Sequence, residues 1–430
     1  MMGIDSISRL NLIRGMPETY NHLESSGWFE MRGFNKIGDN TFPNLMAILT
    51  GQDNNVTEET CNWKEVGELD KCPFVWSDFD AAGYVTAYIE DEAYLQTFNY
   101  YETGFIKQPT DYYFRPFTLA AEDNLKIKLD HGLKFCVGPQ HYADLIYQYG
   151  LDFAVTYKDH PSFGFFWTNS FSHEDLGTIS SMDTRILHYL KQLEKLRILD
   201  DSIVFFFSDH GMRFGPIRDL FTGWLEERLP FLYVWLPKSF QLKHPEIVKN
   251  LKINRDRLVS PYDVHMTLKD ILQMSGGYEA DYVPSATSCP DCQSLFKEMP
   301  SDRSCPDAGI SKHWCTCTEF EKANIASKEV QLATRHLTNK INEDLKPHPK
   351  CAKLTLKSVL TARKSKHGSS IDYLVSFDVK PSMAKLEGTV RCDKECKEMK
   401  MIGSISRLNK YGNQSACISD SNLRKTCYCI

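Results

Sequence analysis

The sequence of 430 residues lacks several features that would each have fixed a class of function. No apolar run approaches the ~18 unbroken residues of a membrane-spanning helix, so no membrane span is expected in this chain. Its 50 basic residues are outnumbered by 56 acidic ones and are scattered, giving a formal net charge of −6. That pattern leaves nucleic acid without an electrostatic footprint to recognise. There is no internal repeat and no signal peptide. The missing signal peptide excludes little, because Met1-Met2-Gly3-Ile4-Asp5 reads as the last residues of a strand whose beginning is absent. A buried first strand needs about five or six residues, so the chain is expected to be truncated at its N-terminus.

Cysteine is scarce in the first two thirds, where only Cys61, Cys72 and Cys136 occur, and dense afterwards, where eleven fall in the last 142 residues. Zinc ligation by pairs such as Cys289/Cys292, Cys315/Cys317, Cys392/Cys396 and Cys427/Cys429 is disfavoured by irregular spacing and by the lack of paired histidines. Disulfides are the better reading. With the sequons Asn55-Val56-Thr57 and Asn413-Gln414-Ser415, they favour an extracellular or secretory-pathway location.

A chain that is 42% hydrophobic and 25% charged is globular and long enough for one large domain plus a smaller one. Composition shifts near Tyr282 to Ser288, which places the boundary between a domain 1–285 and a Cys-rich domain 286–430. Helical periodicity over Met182 to Leu196 precedes an apolar strand, Ile203 to Phe207, and a second, Phe231 to Leu236, stopped by Pro237. Alternating helix and strand predict an α/β fold with a mainly parallel sheet. In the tail, Ala326 to Leu345 reads as helix and Leu374 to Val379 as strand, giving a small α+β module stapled by bridges.

The chemistry collects where strands run out. Ser208-Asp209-His210-Gly211 follows the all-apolar Ile203 strand at its C-terminal end, where open α/β sheets place ligands. Asp supplies charge and His a neutral imidazole, a pairing suited to a metal. Asp5 closes the first strand. Thr41 precedes a helix whose first turn is marked by Pro43 and which runs to Gly51. A threonine hydroxyl is too weak an acid to ionise near neutral pH unless a divalent cation binds its oxygen, and the helix N-terminus would hold the anion under attack. The strand Phe163 to Trp167 leads to His173 at the same sheet edge. Together these residues predict a metal-activated nucleophile.

Four ordered motifs resemble a known family. They are Gly3 to Arg9, Gly38-Asp39-Asn40-Thr41-Phe42-Pro43-Asn44, Phe165 to His173, and Asp209-His210-Gly211-Met212-Arg213-Phe214-Gly215-Pro216. They look like the domain of unknown function 229 family of animal proteins, within the alkaline phosphatase superfamily of sulfatases, phosphodiesterases and lipoteichoic-acid-synthase-like transferases. The resemblance implies an alkaline-phosphatase-like three-layer αβα sandwich. Thr-Phe-Pro-Asn matches the phosphodiesterase nucleophile motif, which makes Thr41 the expected nucleophile and ligand; Asp5, Asp209 and His210 match the other ligands of that metal, zinc or manganese. His173 matches a histidine that contacts substrate in sulfatases and transferases or binds a second metal in phosphodiesterases. Arg213 is the preferred substrate-phosphate contact among Lys107, Arg115, Arg213 and Arg218. Glu226, Glu227 and Arg228 are expected to be structural.

The chain also departs from that pattern. Asn169 stands where the phosphodiesterases have an aspartate, and His265 is the remaining candidate for a second-metal ligand. The resemblance therefore favours one cation over a pair about 4 Å apart. Thr41 occupies the position of the cysteine that sulfatases convert to formylglycine, so aldehyde chemistry is absent. The leading expectation is a metal-dependent hydrolase or transferase of phosphate esters. Sulfuric-ester hydrolysis and a catalytically inactive secreted glycoprotein are the alternatives. The Tyr- and Phe-rich segment Tyr94 to Arg115 and the region around Trp224 are candidates for setting substrate choice.

Overall fold

A computed structural model of the chain describes residues 1–100, 102–279, 282–393 and 396–430. The chain forms two compact units, Met1–Met212 with Leu225–Ile310, and Arg213–Trp224 with Ser311–Ile430.

The first unit is built on a seven-stranded sheet of β1 (Met2–Ile4), β2 (Phe29–Glu30), β3 (Val85–Glu90), β4 (Tyr112–Tyr113), β5 (Ser162–Thr168), β6 (Val204–Phe207) and β7 (Leu232–Trp235). Their spatial order is β2-β7-β6-β1-β5-β3-β4. From β4 through β3, β5 and β1 to β6 every pairing is parallel, as the alternating pattern predicts. At the other edge β7 runs antiparallel to both β6 and β2. The connection from β6 to β7, residues 208–231, contains the helical stretch Phe221–Arg228, and the apolar runs of the two strands give no sign of their relative direction.

Alternate residues of each strand feed opposite layers. Phe205 and Phe207 pack in one core with Leu45, Ile48 and Leu49 of helix α2 (Thr41–Thr50) and with Val264 and Leu268 of α5 (Pro261–Met274). Val204 and Phe206 pack in another with Leu12 of α1 (Arg9–Gly15), Tyr147 and Leu151 of α3 (Tyr142–Thr156) and Ile186 and Leu190 of α4 (Asp183–Lys195). The result is the expected three layers. Each such enclosed side chain contributes roughly 1.5–3 kcal/mol, so both faces of the central strands are held. α2 is unusual in that Phe42 through Thr50 are all buried; Gly51, at φ +70°, ends it.

The expected boundary at 285/286 falls inside the first unit. Leu295, Phe296 and Met299 join the α2/α5 core, Leu295 N–H donates to Thr267 Oγ1 at 2.8 Å, and Arg303 forks onto Asp263 at 2.7 and 2.9 Å. Cys289–Cys292 also lies there, and the earlier Cys61–Cys72 bridge lies upstream. Composition marks the start of this segment, but its packing assigns it.

The second unit carries an antiparallel sheet in chain order, β8 (Glu321–Lys322), β9 (Thr355–His367), β10 (Ser370–Lys380), β11 (Lys385–Cys392) and β12 (Met399–Arg407). Helix α6 (Lys328–Leu345) lays Val330, Ala333, Leu337 and Ile341, at helical spacing, against Val375, Phe377 and Val390. Cys351–Cys427, Cys392–Cys396 and Cys417–Cys429 are disulfides. Cys427 and Cys429 therefore bond elsewhere rather than to each other, and Cys317 is a free thiol. No helix among the described residues is long and apolar enough to cross a membrane.

Candidate active site

β1 and β6 are parallel neighbours with Gly3 opposite Phe207, so the residues two further on, Asp5 and Asp209, leave the sheet side by side. Ser6 turns the chain out of β1 at φ +63°, and its N–H donates to Asp209 Oδ1 at 3.2 Å. His210 N–H donates to the same oxygen at 2.9 Å. That side of the Asp209 carboxylate is thereby fixed.

Thr41 enters at the first position of α2, on a loop set by Asn44. The Asn44 carbonyl accepts from Ile37 N–H at 2.8 Å and Gly38 N–H at 3.1 Å, and its amide donates to the Gly38 and Asn40 carbonyls. Asn40 caps the helix without a side-chain hydrogen bond. The first-turn amides thus face the side from which an anion would come.

The four side chains converge. Thr41 Oγ1 donates to Asp5 Oδ1 at 3.0 Å and stands 3.4 Å from His210 Nε2. His210 Nε2 lies 3.6 Å from Asp5 Oδ1 and 3.2 Å from Asp209 Oδ2. Ligand atoms of Asp5, Asp209 and His210 all fall within 4.8 Å of one another. Asp5, Asp209 and His210 are buried, and Thr41 is partly exposed.

Hydrogen-bond roles show what this cluster needs. His210 Nδ1 is 2.9 Å from the Gly211 carbonyl, which can only accept, so Nδ1 carries a proton and Nε2 is the ring atom turned toward the carboxylates. Asp5 Oδ2 and Asp209 Oδ2 are buried without a hydrogen-bond donor. Burial pushes the Asp209 carboxyl up from its ordinary range, nearby His210 opposes the shift, and the Asp5 carboxylate adds to it. Converging electron-rich atoms in low dielectric call for positive charge among them. Two carboxylates, an imidazole nitrogen and an alcohol oxygen make a donor set that fits a divalent cation such as zinc or manganese.

The sequence model of the family described as protein of unknown function (DUF229) matches residues 1–360. The chain belongs to the DUF229 family. Comparison with curated proteins gave no match. Among solved structures, the chain is similar to a protein in the alkaline phosphatase superfamily from Vibrio parahaemolyticus, at 14% identity over 94% of this chain and 81% of that one, TM-score 0.48. It is also similar to the phosphonate monoester hydrolase SpPMH from Silicibacter pomeroyi, at 12% identity over 92% and 89%, TM-score 0.47. A third is the lipoteichoic acid synthase LtaP from Listeria monocytogenes, at 11% identity over 99% and 88%, TM-score 0.45.

In this DUF229 chain the candidates for a second cation are engaged elsewhere. Asn169 Oδ1 accepts from Trp167 Nε1 at 3.2 Å, and its amide donates to Glu90 Oε1 at 2.9 Å and Asp91 Oδ1 at 3.2 Å. His173 holds Glu174 at 2.9 Å and lies outside the Asp5/Asp209/His210 group. His265, the remaining candidate for a second-metal ligand, lies away from the cluster. It is buried, donates Nδ1–H to the Ile48 carbonyl at 3.0 Å, and sits against Gly51 at the C-terminal end of α2. Seven residues of helix separate Ile48 from Thr41, about 10 Å. Burial pushes its pKa down to about 4, as befits a neutral packing residue.

The proposed phosphate-binding cations are placed as follows. Arg213 belongs to the second unit, with its guanidinium over the Phe214 ring. Arg115 donates to the Ala93 carbonyl and to Gln96, Arg218 faces Glu387, and the Lys107 N–H is held by Asp70.

Sequence reasoning missed the buried acid pair Glu90 and Asp91, which sits at the end of β3. Burial raises Glu90 to about 8 and Asp91 to about 7. It also missed the role of Asn44, although the residue lies in a quoted motif. A cavity of about 430 Å³ lined by Phe163, Gly164, Val204 and Tyr157 opens at the opposite edge, where the strands begin, and is not part of this cluster.

Proposed function

We propose that this DUF229 protein is a metal-dependent hydrolase or transferase of phosphate esters, with Thr41 as its nucleophile. What carries the reading is the meeting of the Thr41 hydroxyl with Asp5, Asp209 and His210, two of whose carboxylate oxygens are buried without donors. A divalent cation bound there lowers the pKa of the Thr41 hydroxyl and offsets the charge of the reacting phosphoryl group. Asp5, through its contact with Thr41 Oγ1, orients that oxygen. His210, its tautomer set by Gly211, presents a neutral Nε2 to the cation.

Thr41 gives up its hydroxyl proton to solvent and its Oγ1 attacks phosphorus, forming an O–P bond as the bond to the leaving alcohol breaks, and the leaving oxygen takes a proton from solvent. A non-bridging phosphate oxygen accepts from first-turn amides of α2. Water, or a second alcohol, then attacks the phosphothreonine and releases the Thr41 hydroxyl. The donor geometry favours a single cation, because Asn169 and His265 are held by protein partners.

Disulfides in both units, Cys61–Cys72 and Cys289–Cys292 in the first and Cys351–Cys427, Cys392–Cys396 and Cys417–Cys429 in the second among them, support an oxidising compartment, extracellular or within the secretory pathway. Both sequon asparagines, Asn55 and Asn413, are exposed. The test is turnover of an aryl phosphate by purified protein after chelation and after return of Zn²⁺ or Mn²⁺, with an aryl sulfate in parallel. Phosphate turnover that disappears and returns is expected. Metal-independent turnover, or none with any divalent cation, overturns the proposal.

A further inference from the structure

The loops that bring Asp5, Thr41 and Asp209/His210 together come from remote parts of the chain, and each is tied to one short segment, Glu226–Leu229. The Asp5 loop is tied through Ser8, whose hydroxyl donates to Glu226 Oε2 at 2.9 Å, and through Arg9 N–H, which donates to the Leu229 carbonyl at 3.0 Å. Arg14 grips Glu226 from outside with two bonds, at 2.8 and 2.6 Å. The Asp209/His210 loop is tied by Gly211, whose N–H donates to the Glu227 carbonyl at 3.0 Å. A side chain at Gly211 would meet the Glu226 carbonyl at 2.2 Å, so the approach requires glycine.

The Thr41 loop is tied by Lys36. Its N–H donates to the Arg228 carbonyl at 3.0 Å, and its ammonium donates to the Asp39 carbonyl at 3.0 Å and to Glu227 Oε1. Arg228 completes the arrangement from the other side, donating to Glu227 Oε2 at 2.7 Å. Lys36, Glu227 and Arg228 are all essentially inaccessible to solvent.

Charges buried this deeply are poor devices for stability, because their desolvation offsets much of their attraction and apolar side chains of similar size serve as well. They are effective at fixing geometry, since a buried ion pair tolerates only one arrangement. We propose that Lys36, Glu227 and Arg228 are positioning residues that hold the Thr41 loop in register with the Asp5 and Asp209/His210 loops, and so set the affinity of the centre for its cation. This rests on the reading of the four-residue cluster as a metal centre.

The test compares wild type with Lys36→Met, Glu227→Gln and the apolar triple variant Lys36→Met/Glu227→Leu/Arg228→Met. The triple removes the three buried charges together rather than stranding one of them, and is expected to fold. Zn²⁺ binding is measured by calorimetry, and kcat and KM on an aryl phosphate are measured separately. Folded variants are expected to bind Zn²⁺ about 10–100-fold more weakly, as when groups that orient metal ligands are removed. kcat should fall more than KM rises, and Lys36→Arg should recover part of the loss. A triple variant with wild-type Zn²⁺ affinity and kcat overturns the positioning role and leaves the metal reading standing. Wild-type protein that binds no Zn²⁺ overturns the metal reading itself.

Discussion

Two buried acidic clusters lie at the same edge of the central sheet, and they differ in how their carboxylate oxygens are satisfied. In the first, Asp5 Oδ2 and Asp209 Oδ2 are buried without a hydrogen-bond partner, and His210 Nε2 stands against the pair. In the second, every carboxylate oxygen is answered. Glu90 Oε1 accepts from Thr97 N–H, Thr97 Oγ1 and Asn169, and Glu90 Oε2 accepts from Tyr88. Asp91 Oδ1 accepts from Asn169, and Asp91 Oδ2 from Ser170 N–H. Burial raises the pKa of a carboxyl in both places, so a shifted acid does not by itself distinguish a metal centre from a structural lock. The supply of hydrogen-bond donors does.

Substitutions in the two clusters should therefore fail differently. Thr41→Ala is expected to lower kcat on an aryl phosphate by at least about 1,000-fold, since the nucleophile is gone and the core is untouched. Equal turnover of the two proteins would end the nucleophile assignment. Asp209→Asn should weaken metal binding by about 100-fold, the effect of replacing a charged ligand by a neutral one. Elemental analysis of the purified variant checks this, and unchanged metal content removes Asp209 from the ligand set.

Asn169→Ala probes the other cluster. It strips donors from Glu90 and Asp91 and an acceptor from Trp167, so a loss of about 1–3 kcal/mol in urea unfolding is expected with metal content unchanged. Loss of metal instead would return Asn169 to the ligand set. The smallest effect concerns pH. Glu90 holds its proton up to about 8 when folded but only to its ordinary 4.5 when unfolded. Between those values the folded state binds the extra proton, so this group's contribution to stability declines as pH rises, by at most about 1.4 kcal/mol per unit. Glu90→Gln has no such proton. Its melting temperature relative to wild type should climb between pH 5.5 and pH 7.5, and a constant difference would show that Glu90 titrates normally.

The strands and helices that carry the first cluster were legible because their signals are local. The apolar run before Asp209 became β6, the periodic stretch from Met182 became α4, and Pro43 and Gly51 bracketed α2 as expected. Asp5 and Asp209 were paired through the resemblance of their motifs to the family, since an aspartate at the end of a strand reads by itself as a helix cap. Glu90 was illegible for the opposite reason: an acid at the end of a strand reads as a solvated edge, and only the fold encloses it. Glu227 and Arg228 were expected to be structural, and their burial with Lys36 accords with that, but the sequence carries no sign that the lysine would be their partner. His265 shows the converse difficulty, since a histidine inside a helical pattern carries no sign of which end of a neighbouring helix it will meet. The segment from Ala286 to Ile310 looked like tail by composition, yet Leu295, Phe296 and Met299 complete a core begun by α2 and α5.

The enclosure of α2 on every side, from Phe42 to Thr50, has a consequence for how any reaction partner is met. Its amides should exchange hydrogen with solvent only when the whole unit opens, because no smaller fluctuation exposes them. An alcohol carried at the tip of so stiff a rod cannot swing toward an incoming molecule. If Thr41 is the nucleophile proposed above, an incoming ester would have to bring its phosphorus to the fixed oxygen, so selectivity would be a matter of trajectory before it is a matter of grip.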